Sequence, residues 1–311
     1  LILSDVDDIL KDNILKDDIL DDKCKIYNGH NDHKNIKDNK MYKQLEYFIL
    51  ENSIDNIGIS LSGGVDSMVI LFLLSQLKKE NKIKEAYAMH IEYSNRKESP
   101  LETKYLSYYC SMLDIPLYLR IVDYFNRDSV DRIFYEEETK KIRFNTYSFL
   151  SEKHNIKGWC LGHHKGDVYE NVLMNILNGR DLLDLGVMNK ITYFSKYKVY
   201  LYRPLLDYYK EDIYKTSEQF NIPYFKDTTP DWSCRGVIRR KIIPSLEIQW
   251  PSVKDKLINI SNQSHEWNEV IQNYLFLPIR DSIKFDKNQI EIPLSSIKNM
   301  PRVVWLNIFL Y

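Results

Sequence analysis

One junction restricts the fold of this chain more than any other. An apolar run at 57–61 is followed at once by Ser62-Gly63-Gly64-Val65-Asp66-Ser67, and then by a helix-patterned stretch at 66–79. Two glycines directly after a buried strand let the backbone turn sharply and approach a ligand closely. The helix start behind them offers unpaired N–H groups and the positive end of its dipole, a setting suited to phosphate. Ser62 and Ser67 add hydroxyl donors. Asp66 would repel a bare phosphate, but it makes sense if Mg²⁺ bridges it to the phosphates. The segment lacks the Gly-Lys-Ser/Thr ending of the Walker loop, so transfer of a γ-phosphate is not the first expectation. The competing structural reading is a tight turn capped by Ser and Asp.

The same strand-then-helix rhythm continues downstream. Short apolar runs at 86–91, 117–122 and 159–162 each precede a helix-patterned stretch, at 100–113, 130–153 and 165–177. Such alternation predicts an α/β fold: a doubly wound parallel sheet with helices on both faces. Ligands in these sheets bind beyond the carboxyl ends of the strands, where the strand order reverses. Helical patterning at 254–275 predicts a partial, mostly helical C-terminal domain. The expected organisation is a polar, low-complexity and disordered extension at 1–40, a nucleotide-binding domain at 41–248, and a second domain beginning at 249–311.

Residues 1–40 carry ten Asp, no Glu and seven Lys, with a near-repeat every five residues that fits neither a strand nor one helical stripe. The whole chain of 311 residues has 43 basic and 44 acidic side chains; without the extension 36 basic and 34 acidic remain, a charge of +2. That balance argues against a histone-like polycation. The longest clean apolar run, 68–74, falls far short of the ~20 residues of a membrane span. The first residues show no basic, apolar and small-residue pattern of a secretory signal, so secretion is not expected. Cys24, Cys110, Cys160 and Cys234 are widely separated, which argues against a disulfide scaffold or a zinc ribbon. A cytoplasmic protein, or one of an organelle of bacterial origin, is expected. The start at Leu1 and the end inside an apolar stretch suggest a piece of a longer chain.

On the helix at 165–177, His164, Asp167 and Asn171 lie at i, i+3 and i+7 and share a face, with Glu170 bordering it. The acids could hold Mg²⁺, recognise an amine, or take its proton; alternatively His164 caps the helix and the acids complement its dipole. Arg235 and Arg239, with Arg240 and Lys241 beside them, form a basic patch suited to phosphate or a nucleic-acid backbone, or simply a solvated helix end.

Ser62–Ser67 resembles the Ser-Gly-Gly-x-Asp-Ser signature of the PP-loop ATP pyrophosphatases, which have an adenine nucleotide alpha hydrolase-like fold. Three further segments are similar to tRNA(Ile)-lysidine synthetases within that superfamily: His90-x-x-Tyr93-x-x-Arg96-x-x-Ser99, Glu137-x-x-Lys140-x-x-Arg143-Phe144, and Gly162-His163-His164-x-x-Asp167-x-x-Glu170-Asn171. Arg203-Pro204-Leu205-Leu206 and Arg235-x-x-Ile238-Arg239 follow in the same order.

The resemblance implies that ATP adenylates O2 of the wobble cytidine of a CAU-anticodon tRNA(Ile). The amine of free L-lysine then attacks, releasing AMP and pyrophosphate. It implies ATP and Mg²⁺ as cofactors, with Ser62, Gly63, Gly64, Val65, Asp66, Ser67, His90, Arg96 and His164 around the nucleotide. Asp66 and Asp167 would hold Mg²⁺; Asp66, Asp167, Glu170 and Arg235 would serve the chemistry, with Asp167 or Glu170 taking the proton. Arg143, Arg180, Arg239 and Arg240 would face the tRNA. No membrane partner is implied, and a homodimer is compatible. Asn178, Gly236, Thr228 and Thr229 depart from the family pattern, which puts tRNA recognition and lysine selectivity in question. Two alternatives stay open: a tRNA thiolase on the same scaffold, and a non-catalytic tRNA- or nucleotide-binding relic.

Overall fold

The computed structural model describes residues 24–25, 35–93, 99–123, 130–186, 188–226, 233–286, 289–292 and 294–309. It divides into two compact units: Leu1–Asp167 with Asn189–Pro230, and Val168–Met188 with Asp231–Tyr311. The expected boundary at 248 is a sequence-continuous one, whereas this division gives 168–188 to the C-terminal unit.

The first unit is built on six strands: β1 Asn56–Ser60, β2 Glu85–Glu92, β3 Leu117–Ile121, β4 Trp159–Cys160, β5 Ile191–Phe194 and β6 Val199–Tyr202. Their order is β3-β2-β1-β4-β6-β5, parallel except for β5, which runs antiparallel to β6. The helices between are α1 Lys40–Glu51, α2 Val65–Lys79, α3 Ser99–Met112, α4 Arg132–His154, α5 Lys165–Leu177, of which only the start through Asp167 belongs to this unit, and α6 Lys210–Gln219. From β1 the chain winds outward through β2 to β3, then returns to β4 on the other side of β1. The order therefore reverses between β1 and β4, the place where such sheets bind ligands.

Alternation along the strands sorts the core into two layers. Ile57, Ile59, Ala86, Ala88, Cys160 and Tyr202 pack with buried residues of α1, α2, α3 and α6. Met89, Trp159, Val199 and Leu201 pack with Phe144, Tyr147 and Leu150 of α4. Trp159 sits opposite Gly58 in the ladder. A Cβ on Gly58 would lie 2.4 Å from the indole, so only glycine leaves room for it. The indole stacks on Tyr147 at 4.6 Å and donates to Ser151 Oγ at 3.0 Å.

Within the six-stranded sheet, the β5–β6 hairpin lies outside the sequence expectation. Its turn, Ser195–Tyr197, closes through Lys198 in the left-handed region (φ 53°). Glycine or asparagine is the usual residue there, so the sequence carried no turn signal. Of the polar extension, Cys24–Lys25 pairs antiparallel with Tyr224–Phe225, and a short helical turn, Ile36–Asp38, leads into α1.

In the second unit, Cys234–Val237 runs into a π-helical turn, Ile238–Ile242, then α-helix Ile243–Gln249; helix Val253–Ile271 likewise runs into a π turn, Gln272–Phe276, then Leu277–Ser282. Each π turn precedes a proline, Pro244 or Pro278, at the start of the next helix. Proline cannot donate to the preceding turn and its ring crowds the carbonyl there, and widening the helix relieves both. Ser264 ties Val253–Ile271 to the segment after α5: its hydroxyl accepts from the Leu185 and Gly186 amides (3.2 and 3.4 Å) and donates to the Leu182 carbonyl (2.7 Å). Phe276, Ile279, Ile297, Val304 and Ile308 form this unit's own core.

Candidate functional site

The turn after β1 is held open by its own hydroxyls. The Ser62 amide donates to Ser67 Oγ (3.2 Å), Ser67 Oγ donates to the Gly64 carbonyl (3.0 Å), and the two seryl oxygens stand 3.1 Å apart. Gly63 has φ +81°, and a Cβ there would lie 2.4 Å from the Phe225 ring. The Phe225 amide donates to the Gly63 carbonyl (2.9 Å), which braces the turn from outside. The Gly64 amide donates to Ser62 Oγ (3.4 Å), and Gly64 is also the N-cap of α2, with no side chain capping the helix. Amides at the tip of α2 are thus left facing the turn, as an anion site requires.

The loop after β4 closes on this turn. A Cβ at Gly162 would lie 2.9 Å from Asp66 Cβ and 3.2 Å from the Ser67 amide nitrogen. From β2, His90 is 8% exposed and its Nδ1 is 2.8 Å from the Leu61 carbonyl. A cavity of about 330 Å³ opens alongside, lined by Leu61, Ser62, His90, Glu92, Glu102 and Arg143. That is at the small end of the range for nucleotide-sized ligands. Glu92 is buried there and accepts from Thr103 Oγ1 at 2.6 Å.

Asp66 and Asp167 differ in how they are held. Asp66 Oδ2 accepts from Lys210 Nζ at 2.5 Å, while its Oδ1 is buried with no hydrogen-bond partner among the described residues. An orphaned carboxylate oxygen beside a phosphate-sized turn fits a divalent cation. Asp167 sits in a reciprocal cap at the start of α5. Its Oδ2 accepts from the His164 amide (3.0 Å), and His164 Nδ1 accepts from the Gly166 amide (2.9 Å). This is the capping-box pattern with an imidazole in the usual hydroxyl position. Both side chains are buried.

The second unit holds its own charge cluster. Glu170, 2% exposed, is gripped by Arg239, with Nε at 2.6 Å from Oε1 and Nη2 at 3.0 Å from Oε2. Arg235 Nε lies 3.6 Å from Oε2. The π turn at Ile238–Ile242 carries Arg239, and the short helix before it carries Arg235. Arg240 is exposed, and Arg180 pairs with Asp184 at 2.6 Å on the surface.

Of the expected site residues, Ser62, Gly63, Gly64, Val65, Asp66, Ser67, His90, Arg143, His164 and Asp167 belong to the first unit, and Glu170, Arg180, Arg235, Arg239 and Arg240 to the second. Arg96, Thr228 and Thr229 lie outside the described residues. One side chain escaped the sequence reading, and another was named there without a role. Lys210 stands four residues past Leu206 at the first position of α6, and its only signal was a lysine where a helix start favours acids. Arg203 is buried; its Nη1 donates to the Asn189 carbonyl (2.6 Å) and Thr192 Oγ1 (2.8 Å), and its Nε to His163 Nδ1 (3.2 Å). Burial without an acid lowers the pKa of its guanidinium below the usual arginine value.

Residues 37–246, more than half of the chain, match the model of the PP-loop domain, and the chain belongs to that family. ATP binding goes with that membership. The chain is similar to proteins named tRNA(Ile)-lysidine synthase. It is 27% identical over 246 residues to the one of Enterococcus faecalis, covering 78% of this chain and 51% of that protein. It is 32% identical over 208 residues to the one of Streptococcus agalactiae, covering 66% of this chain and 45% of that protein. The chain therefore spans about half the length of the curated relatives it matches. Among solved structures, a U34-tRNA thiolase of Methanococcus maripaludis with its [4Fe-4S] cluster superposes with a TM-score of 0.57 at 18% identity, over 73% of this chain and 78% of that one; this likeness establishes the fold alone. No helix among the described residues is long and apolar enough to cross a membrane.

Proposed function

We propose that this protein is a tRNA(Ile)-lysidine synthetase. It would use ATP to adenylate O2 of the wobble cytidine of a CAU-anticodon tRNA(Ile), and the amine of free L-lysine would then displace AMP to give lysidine. The observation that carries this reading is the glycine turn at 62–67, with its orphaned Asp66 oxygen, in a chain whose named relatives share that activity. ATP with Mg²⁺ would supply the activating adenylyl group and a stable leaving pyrophosphate.

The residues divide the work. The α2 amides with Ser62 and Ser67 face the outer phosphates and stabilise the charge that develops on the leaving group, more strongly in the transition state than before it. Asp66 and Asp167 would hold Mg²⁺. Glu92, His90 and Arg143 border the cavity beside the turn, where the nucleoside would fit. Of the two acids considered for proton transfer, Glu170 is closed in by two arginines, and we assign it to positioning Arg239 and Arg235. That leaves Asp167, anchored through Oδ2 by the His164 amide, as the group to take the lysine proton, and in that step Asp66 alone would hold Mg²⁺. Arg143, Arg180, Arg239 and Arg240 are proposed tRNA contacts. The catalytic domain is proposed to span 41–248, with residues 249–311 beginning a tRNA-binding domain.

Sulfur insertion is a weaker reading. Cys110 and Cys160 are buried, and burial raises both thiols, Cys110 to about 12, away from the reactive thiolate; Cys234 is exposed but has no second cysteine at short sequence spacing to pair with it. The test is incubation with CAU-anticodon tRNA(Ile) and ATP, with lysine in one reaction and sulfide in a parallel one, followed by pyrophosphate exchange and mass spectrometry of the nucleosides. Lysidine is the expected product. A thiolated nucleoside, or no exchange with any tRNA, overturns the proposal.

A further inference from the structure

Lys210 occupies an unfavourable position for a cation. It is the first residue of α6, where the helix dipole already presents positive charge. Nor is α6 the only helix tip nearby: Gly162, just before α5, packs on Asp66, and the Lys165 amide donates to the Tyr208 carbonyl at 3.0 Å. The starts of α2, α5 and α6 thus meet around Asp66. Lys210 Nζ stands 2.5 Å from Asp66 Oδ2, with the two side chains 29% and 19% exposed. The ammonium is held in a positive region by one carboxylate, and that carboxylate is the one suited to a divalent cation.

We propose that Lys210 is the phosphate turn's own cation. It neutralises Asp66 when no nucleotide is bound, and it moves to the outer phosphates when Mg²⁺ takes the carboxylate. The inference rests on reading residues 62–67 as the triphosphate site. Mg²⁺ on Asp66 Oδ1 draws off much of the carboxylate's charge and repels the neighbouring Nζ, which loosens its hold on Oδ2 and favours the newly arrived anion. A compact ammonium on a flexible four-carbon stem suits that movement. When pyrophosphate and its metal leave, Lys210 returns to Asp66.

Calorimetry on the full chain tests this with two probes, Mg²⁺-pyrophosphate and Mn²⁺ alone, on wild type, Lys210→Met and Lys210→Arg. Lys210→Met should bind Mg²⁺-pyrophosphate about tenfold or more weakly, the loss expected for one charge-assisted hydrogen bond. The same variant should bind Mn²⁺ alone more tightly, because the competing cation is gone. Lys210→Arg should recover most of the pyrophosphate affinity. Equal binding of both probes by wild type and Lys210→Met overturns the inference and leaves the phosphate reading standing. Failure of wild type to bind either pyrophosphate or ATP overturns both. Should Lys210→Met not fold, acetylation of wild type followed by mass spectrometry decides the question. Mg²⁺ alone should raise Lys210 labelling and added pyrophosphate should lower it; constant labelling overturns the inference.

Discussion

The turn at residues 62–67 and the Glu170 cluster handle charge in opposite ways. In the first, a lysine holds one oxygen of a partly exposed carboxylate, beside a turn built from amides and hydroxyls. The second closes two guanidiniums on a carboxylate that is 2% exposed. A backbone-built site can be complete before its ligand arrives, because its donors are fixed by chain geometry and cost no reorganisation. A buried ion pair is costly to desolvate and adds little net stability, yet removing one partner strands the other. Substitutions in the first region should therefore act mainly on chemistry, and those in the second mainly on stability.

The largest expected effect is at Asp66. Asp66→Ala should reduce pyrophosphate release by about 10²–10³-fold, with the circular dichroism and melting curve retained. Unchanged turnover would remove Asp66 from the site. Arg239→Ala should lower unfolding stability by about 3 kcal/mol, read from the urea midpoint. Adding Glu170→Gln should recover part of that loss, since the buried charge is then gone; strictly additive losses would break the contrast between the regions. Gly63→Ala tests geometry without charge: the left-handed φ and the Phe225 ring together should cost about 2 kcal/mol and weaken ATP binding. A neutral result there would show that the turn is not braced as described.

The smallest effect is a pH response remote from either region. His154 Nε2 lies 2.5 Å from the Tyr118 hydroxyl, and burial, aided by Lys153, lowers its pKa below the usual histidine value. In the unfolded chain His154 takes up its proton near pH 6.5, before the folded protein does. Stability should therefore fall as the pH drops below about 6.5 and level off below the folded pKa. His154→Asn should flatten this slope in melting curves recorded between pH 7 and 5, and an unaltered slope would assign it elsewhere.

Much of the first unit was legible in the sequence because strand and helix patterns are local. The expected strands at 57–61 and 117–122 appear as Asn56–Ser60 and Leu117–Ile121, and the expected helix at 165–177 as Lys165–Leu177. The β5–β6 hairpin was not legible, since its left-handed residue is Lys198 rather than glycine. Asp167 and Glu170 read as equivalent acids on neighbouring positions of one helix. They part company because one closes a cap with His164 and the other meets two arginines that lie more than sixty residues further along the chain.

By itself the chain's order of residues determined the glycine turn, the strands and helices around it, and the chemistry that a Ser-Gly-Gly-x-Asp-Ser turn can support. These depend on backbone preference and short-range periodicity, which act between near neighbours. Tertiary structure alone decided that Lys210, 144 positions away, would neutralise Asp66, that Trp159 would require Gly58, and that Glu170 would be enclosed by arginines. Contacts of that kind arise only when burial brings distant side chains together, and no local pattern encodes which of many candidate partners that will be.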